Sequence, residues 1–416
     1  MMKTMMRRLA PLLLFAALPA RGGTVHLSFD QHATQNLFQT RDAVSERISA
    51  FSLAVEQDVS ALSLLADVSY SAFSQTAGLS FFSAALGLDY LVPSGEKSAF
   101  YFAAGGEGAF YSRDYAPFST LGGHLLGAFK TYLSPSSILK LQWLGAYASY
   151  RDSLFDFVSH VASLSIDKYF PSRTTLKLDA EYGYKYFLHP FLAEPVTTGT
   201  EILVGDPGPL TAGGSGNGMG GGSGSGSGSG WGGQRYEGGS GFVPRVDPAG
   251  GGAGIGHVSV SGLAAQGLGD IVGLSVSAVR QWTVSGQNPF LSIEEFYLVA
   301  NPSADAFSWE GTQLTARITI SLPWSVEFKS GYTHSDRTYP GVESLGLDGL
   351  PLGTVRNDVR RLFEARLEKG FRRLTLFAAY SYIKNGSTDP LFDWAGGSVM
   401  GGIQWNLPAK SKGGTS

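Results

Sequence analysis

Hydrophobic and polar positions alternate one by one over long stretches of this chain. From Thr174 to Leu188, the residues Leu176, Leu178, Ala180, Tyr182, Tyr184, Tyr186 and Leu188 share one parity, and Lys177, Asp179, Glu181, Gly183 and Lys185 share the other. Successive side chains of a β-strand point to opposite faces, so this pattern predicts a strand with one apolar and one charged face. Three more segments read the same way. In Ser137–Tyr150, Leu139, Leu141, Trp143 and Tyr147 oppose Lys140 and Gln142; in Gly311–Leu322, Leu314, Ala316, Ile318, Ile320 and Leu322 oppose Gln313, Arg317 and Thr319; in Val359–Lys369, Phe363, Ala365 and Leu367 oppose Glu364, Arg366 and Glu368. No long stretch follows the 3.6-residue helical period, and beyond residue 22 no apolar run reaches the roughly 18 residues of a membrane-spanning helix.

These alternating segments are about twice as long as the five or six residues usual in soluble sheets, and they meet the length of about 9–11 that a tilted strand needs to cross a bilayer. Inside lipid every backbone N–H and C=O must be paired by the protein, which leaves strands only a closed sheet. The fold class expected is therefore all-β: a single closed antiparallel transmembrane β-barrel, apolar side toward lipid and polar side toward the lumen. Strand starts are expected near Val25, Ile48, Val59, Leu79, Ala99, Leu121, Ile138, Phe157, Thr175, Gly256, Ile271, Thr312, Ser325, Val359, Leu374 and Gly396, which makes 16, with 14 as the alternative. Tight turns are expected at 93–98, 134–137, 171–173, 267–270, Leu322-Pro323 and 370–373, and longer links at 31–46, 112–119, 189–255, 286–310, 335–356 and 384–394. Short turns at one rim and long loops at the other are the habit of outer-membrane barrels, and an even strand count puts both termini at the short-turn, periplasmic rim. Trp143, Trp282, Trp309, Trp324, Trp394 and Trp405, with Tyr90, Tyr150, Tyr169, Tyr186, Tyr332 and Tyr382, fall in or beside these strands, where aromatic girdles would sit.

The N-terminus supplies a route. Lys3, Arg7 and Arg8 precede the apolar run Leu9–Leu18, and Ala20-Arg21-Gly22 follows with small residues, so residues 1–22 read as a secretory signal peptide. The chain then divides into a barrel over 23–407 and a short polar tail at 408–416. The absence of cysteine excludes disulfides, thiolate metal sites and a lipid-modified N-terminus. Charged residues are 16%, low against about 25% in soluble domains, and a net charge of −3 gives no reason to expect a nucleic-acid partner.

One segment departs from the pattern. In residues 205–256, 23 of the 52 are Gly, and such Gly/Ser tracts behave as flexible coil. Nine strands are expected before this insert and seven after it. Two odd numbers cannot close two barrels with all ends on one side, so the reading is one barrel with a long external loop. Trp231, Arg235 and Tyr236 interrupt the tract and could dock it into the lumen or touch an external ligand; decoration without a role is the simpler account.

Catalytic chemistry finds little support. No two of the seven histidines have metal-ligand spacing, although His189 and His257 flank the long insert. His334-Ser335-Asp336 contains the residue types of a hydrolase triad, but neighbours on a strand point to opposite faces and cannot form one by adjacency. Asp30, Asp305, Glu310 and Asp336 are rim acids that ordinary loop polarity explains. The expectation is no enzyme, no metal and no cofactor. The candidate functional residues are instead the charges expected to line the lumen: Lys140, Lys177, Asp179, Glu181, Lys185, Arg317, Glu327, Lys329, Glu364, Arg366 and Glu368. A barrel of about 16 strands is too wide for side chains to fill, so an aqueous channel lined by both signs of charge is expected unless a loop plugs it.

The C-terminal strand carries a resemblance. Met400-Gly401-Gly402-Ile403-Gln404-Trp405-Asn406-Leu407 resembles the assembly signal of bacterial outer-membrane β-barrel proteins, with Gly402, Trp405 and Leu407 at its glycine, aromatic and hydrophobic positions. The sequence departs from that pattern in the nine residues, PAKSKGGTS, that follow Leu407. The resemblance implies a porin-like protein of the outer membrane, with the export and barrel-assembly machinery and outer-membrane lipids as partners. Passive or facilitated diffusion of small solutes is the leading functional expectation, and a non-conducting surface barrel whose long loops bind a ligand, lipid or partner is the alternative.

Overall fold

The computed structural model describes residues 23–151, 156–188, 254–286, 307, 309–348 and 350–408. Residues 1–22, read above as a signal peptide, the insert up to residue 253 with Trp231, Arg235 and Tyr236, His189, Asp305 and the tail from residue 409 lie outside the described residues. Sixteen strands follow one another: β1 Thr24–Thr34, β2 Glu46–Val59, β3 Leu62–Phe73, β4 Phe81–Ser94, β5 Ser98–Tyr111, β6 Thr120–Ser134, β7 Ser137–Tyr150, β8 Phe157–Tyr169, β9 Thr174–Phe187, β10 Gly254–Leu268, β11 Val272–Ser285, β12 Glu310–Leu322, β13 Val326–Leu345, β14 Pro351–Gly370, β15 Leu374–Ser387 and β16 Trp394–Pro408. Each pairs antiparallel with its sequence neighbours, and β1 pairs β16 from Thr24↔Pro408 to Thr34↔Ser398, which closes the barrel. Closure removes every free edge, the condition for backbone at membrane depth.

The 16-strand reading holds and the 14-strand alternative does not. Three boundaries differ from expectation. Val59 ends β2 instead of starting β3; the reversal sits at Ser60-Ala61, where Ser60 takes a positive φ of 61°. The expected link 335–356 is largely strand, because β13 runs on to Leu345 and β14 begins at Pro351. The end of the insert is strand as well: β10 starts at Gly254, paired with Tyr186.

Strand parity sorts the side chains. Leu86 is 64% exposed and Leu178 is 58% exposed on the outer wall, a surface that water would not tolerate at this extent and that acyl chains match. A row of aromatic side chains, Tyr332, Phe363 and Tyr382, lies at directly paired positions of β13, β14 and β15 on this wall. The barrel is thus of the outer-membrane type, with its short turns at the periplasmic rim and its long links at the extracellular one. Tightly packed apolar side chains are concentrated inside the extracellular mouth. There Leu37 and Phe38 of the β1–β2 link fold inward onto Ile48, Phe73, Leu79 and Tyr115. The link 74–76 is pinned to β2 by Glu46, whose carboxylate accepts from the Ser74, Gln75 and Thr76 amides at 2.9, 2.9 and 2.7 Å and from both hydroxyls.

Candidate functional site

The lumen is the concave, polar surface of the molecule, and strand register decides what lines it. On β9, Leu178 and Tyr182 face lipid, so Lys177, Asp179, Glu181 and Lys185 face inward. The same parity turns Lys140 on β7, Arg317 on β12, Glu327 and Lys329 on β13, and Glu364, Arg366 and Glu368 on β14 toward the interior.

Local ion pairs absorb part of this charge. Lys140 donates to Asp167 of β8 at 2.5 Å, and Lys177 lies 2.8 Å from Asp179. Lys329 bridges Glu327 at 3.0 Å and Glu368 at 2.9 Å, while Arg366 donates to Glu368 at 2.6 Å and stacks over Phe377 at 4.0 Å. Among the described residues Arg317 and Glu364 have no ion-pair partner. Lys185 is a different case: only 3% exposed, it lies over the rings of Phe157 at 4.1 Å and Phe187 at 5.0 Å, so it belongs to the packed mouth and does not face open lumen. Glu181 reaches the His257 Nε2 at 3.1 Å. His257 is buried against Phe307, and its ring occupies the space a side chain at position 183 would fill, so Gly183 is required there for close approach.

Arg317, Lys329, Glu364 and Arg366 border a lumenal cavity of about 710 Å³ together with His32, Gln39, Ser381, Trp394 and Ser398. Three cations and one acid face it from β12–β14. The register places inward acids on the other side, Asp30 on β1, Asp67 on β3, Asp89 on β4 and Glu107 on β5. The lumen is therefore uneven: on β12–β14 the inward Arg317, Lys329 and Arg366 are balanced by Glu327, Glu364 and Glu368, whereas β1–β5 present acids. Sequence reasoning missed Asp67, Asp89 and Glu107 because Ala, Gly and Leu fill both parities of β3–β5 and blur the alternation.

It also missed the extracellular hairpin of β13–β14, having placed that stretch in a loop. Arg356, 0% exposed, lies between the rings of Tyr339 at 4.3 Å and Phe392 at 3.5 Å. Its Nε and Nη2 donate to the Asp358 oxygens at 3.1 and 2.6 Å, and Asn385 and Ser387 donate to the same carboxylate. Nearby, Asp389 accepts from the Leu345 and Leu391 amides; burial pushes its carboxyl above the usual range, and these two amides only partly offset the rise. Arg360 donates to Gln39 at 3.2 Å, tying β14 to the inward-folded β1–β2 link.

The other sequence candidates do not assemble. Ser335 is buried on the inward parity, while His334 and Asp336 lie 3.6 Å apart on the outward one. Asp30 is inward on β1, Asp336 outward on β13, and Glu310 accepts from the Thr283 amide. Among the described residues no three His, Asp or Glu side chains are grouped to hold a metal. Gly402, Trp405 and Leu407 lie on β16 at the closing seam, paired with Asp30, Leu27 and Val25 of β1; Trp405 and the neighbouring outward side chains face lipid.

No protein-family model and no curated protein sequence matches the chain. Among solved structures it is similar to the outer membrane protein opdK of Pseudomonas aeruginosa, at 10% identity and a TM-score of 0.47 over 94% of this chain and 100% of that one. It is also similar to OccAB1 of Acinetobacter baumannii (9% identity, TM-score 0.45, 93% and 96% covered) and to OccK2 (OpdF) of Pseudomonas aeruginosa (12%, 0.45, 94% and 98%). The likeness is in barrel outline, too distant to transfer a residue or a substrate.

Proposed function

We propose that the barrel is a channel for diffusion of small polar solutes across the outer membrane, with a lumen of mixed charge. The supporting observation is the cavity of about 710 Å³ bordered by Arg317, Lys329, Glu364 and Arg366. Side chains in a wall this wide do not meet across the centre, and a water-filled constriction that presents fixed charge selects solutes by local field and width. The inward-folded links narrow the mouth along β1–β6, and the path in this reading runs beside the mixed-charge strip of β12–β14. In this reading the charges that remain open to solutes are Arg317 and Glu364, while Lys140 and Lys177 serve mainly to neutralise their acidic neighbours, and residues 23–407 form one functional unit whose Gly-rich insert is an accessory loop.

The test is conductance of the full chain refolded into planar bilayers, beside a variant lacking residues 205–250, a deletion that spares Gly254 and the β9–β10 pairing. Steady conductance of the intact protein is the expected result. Conductance that appears only after the deletion would make the insert a plug of the same channel. Silence of both, with heat-modifiable gel mobility showing folded barrels, would overturn the channel reading.

A further inference from the structure

The outer wall carries a charge pattern that a channel does not need. His334 on β13, Arg361 on β14 and Lys384 on β15 occupy directly paired register positions, His334↔Arg361 and Arg361↔Lys384. All three share the outward parity of the aromatic row Tyr332–Phe363–Tyr382 and stand two residues beyond it toward the extracellular rim. Arg361 and Lys384 are exposed, and among the described residues neither has an ion-pair or hydrogen-bond partner. The acid nearest to the row in the register, Asp336, lies beside His334 at 3.6 Å. Like charges directly opposed across a sheet are destabilising. Two such cations, unneutralised and held side by side on the wall that faces lipid, call for an anion from outside the protein.

Depth identifies the source of that anion. On β14 the outward side chains between Arg361 and Lys369 are Phe363, Ala365 and Leu367. Eight residues of strand span about 26 Å, or about 20 Å along the membrane normal at the usual tilt, close to the roughly 25 Å apolar band of such barrels. Arg361 therefore sits at the level of the lipid headgroups of the outer leaflet. The pattern is also one-sided. Arg280 on β11, over the Trp282 ring at 5.6 Å, extends the basic rim, whereas the extracellular outward positions of β3–β9 carry no Lys, Arg, Asp or Glu.

We propose that the extracellular outer rim of β13–β15 binds the phosphate of an anionic outer-leaflet lipid, with Arg361 and Lys384 as the principal contacts, His334 beside them, and the Tyr332–Phe363–Tyr382 row packing against the acyl chains. The site fixes how the barrel sits among its lipids and is independent of what passes through the lumen.

The test uses the full chain refolded in detergent micelles, with phosphatidylglycerol titrated in and retained lipid counted by native mass spectrometry. Arg361→Gln/Lys384→Gln replaces two exposed side chains and leaves the backbone pairing alone; heat-modifiable mobility verifies folding. Each cation beside an anionic surface contributes roughly a fivefold factor, so the double variant should need about 30-fold more lipid for equal occupancy. Lys168→Gln/Lys369→Gln, at the periplasmic rim, should bind as the wild type does. Phosphatidylcholine should bind weakly and equally to all three proteins. Unchanged occupancy in the Arg361/Lys384 variant, an equal loss in the periplasmic control, or full displacement of the lipid by inorganic phosphate would each overturn the proposal, the last by showing a free-anion site.

Discussion

Asp358→Ala should loosen the extracellular hairpin far more than removing Arg356 and Asp358 together. In the native protein the Arg356 guanidinium is 0% exposed, held between two rings and bonded through Nε and Nη2 to the Asp358 carboxylate. Deleting the carboxylate leaves a buried cation and strands the Asn385 and Ser387 donors that had pointed at it. Breaking a buried pair from one side costs about 3–5 kcal/mol. The guanidinium cannot reach water without displacing Phe392 or Tyr339, so little of that cost is recovered by relaxation. In Arg356→Met/Asp358→Ala both charges are gone, and an unbranched apolar chain fills the slot between the rings. Replacing a buried pair by apolar groups is often neutral, so the double variant should lose no more than about 1–2 kcal/mol. Hydrogen exchange of amides 339–357 in micelles reads the effect locally, because the hairpin can open while the barrel stays closed. A double variant as destabilised as the single one would refute the argument, since the penalty would then come from lost packing and not from an unpaired charge.

Four further outcomes are expected. Arg317→Glu removes a cation and adds an acid at the cavity, and should shift the reversal potential in a salt gradient toward cation preference; no shift would mean that solutes pass elsewhere. Glu46→Ala strips the acceptor from four amides, those of Arg47, Ser74, Gln75 and Thr76, and two hydroxyls, and should destabilise the 74–76 link by about 2–4 kcal/mol, seen as faster exchange at 74–76 with the strand interiors unaffected. Gly183→Ala drives a methyl into the His257 ring and should lower the heat-modifiability midpoint by an amount equivalent to about 1–3 kcal/mol. The raised carboxyl of Asp389 means that the folded state holds the proton more tightly than the unfolded one, so this group favours folding at low pH and that contribution is lost as pH rises through its folded value. After correction for intrinsic rates, exchange at Leu345 and Leu391 should therefore slow from neutral pH toward the ordinary carboxylate range in the wild type, and change little in Asp389→Asn.

The architecture was legible where one face of a strand is apolar and the other charged. On β9 and β12 the alternation alone placed every lumenal charge, because a one-residue slip would turn a Lys or Arg into lipid. Legibility failed for two physical reasons. On β3–β5 the lumenal wall mixes Ser, Ala and Gly with Leu and aromatics, and Ala and Gly recur on the lipid side, so Asp67, Asp89 and Glu107 stood without a rhythm around them. At β13–β14 the strands continue past the membrane into water, where neither face must be apolar, so residues 335–356, Arg356 among them, look like a polar loop. What periodicity could not give at all was pairing. Lys140 and Arg317 read alike along the sequence, yet one is neutralised by Asp167 from the next strand and the other has no such partner among the described residues.

That difference separates charge that shapes the barrel from charge that can act on a solute. An ion pair between adjacent strands presents little net field to the centre of the lumen, because its two charges lie a few ångströms apart and water screens the remainder over about 8–10 Å. An unpaired charge projects its field over that same distance. In the lumen, then, substituting Lys140 should alter stability more than conductance, and substituting Arg317 should do the reverse. The same logic holds on the lipid side of the wall. There Arg361 and Lys384 are the unpaired charges, and what they meet at headgroup depth is lipid phosphate. Across both surfaces, the residues expected to carry function are those whose charge neighbouring strands leave uncompensated.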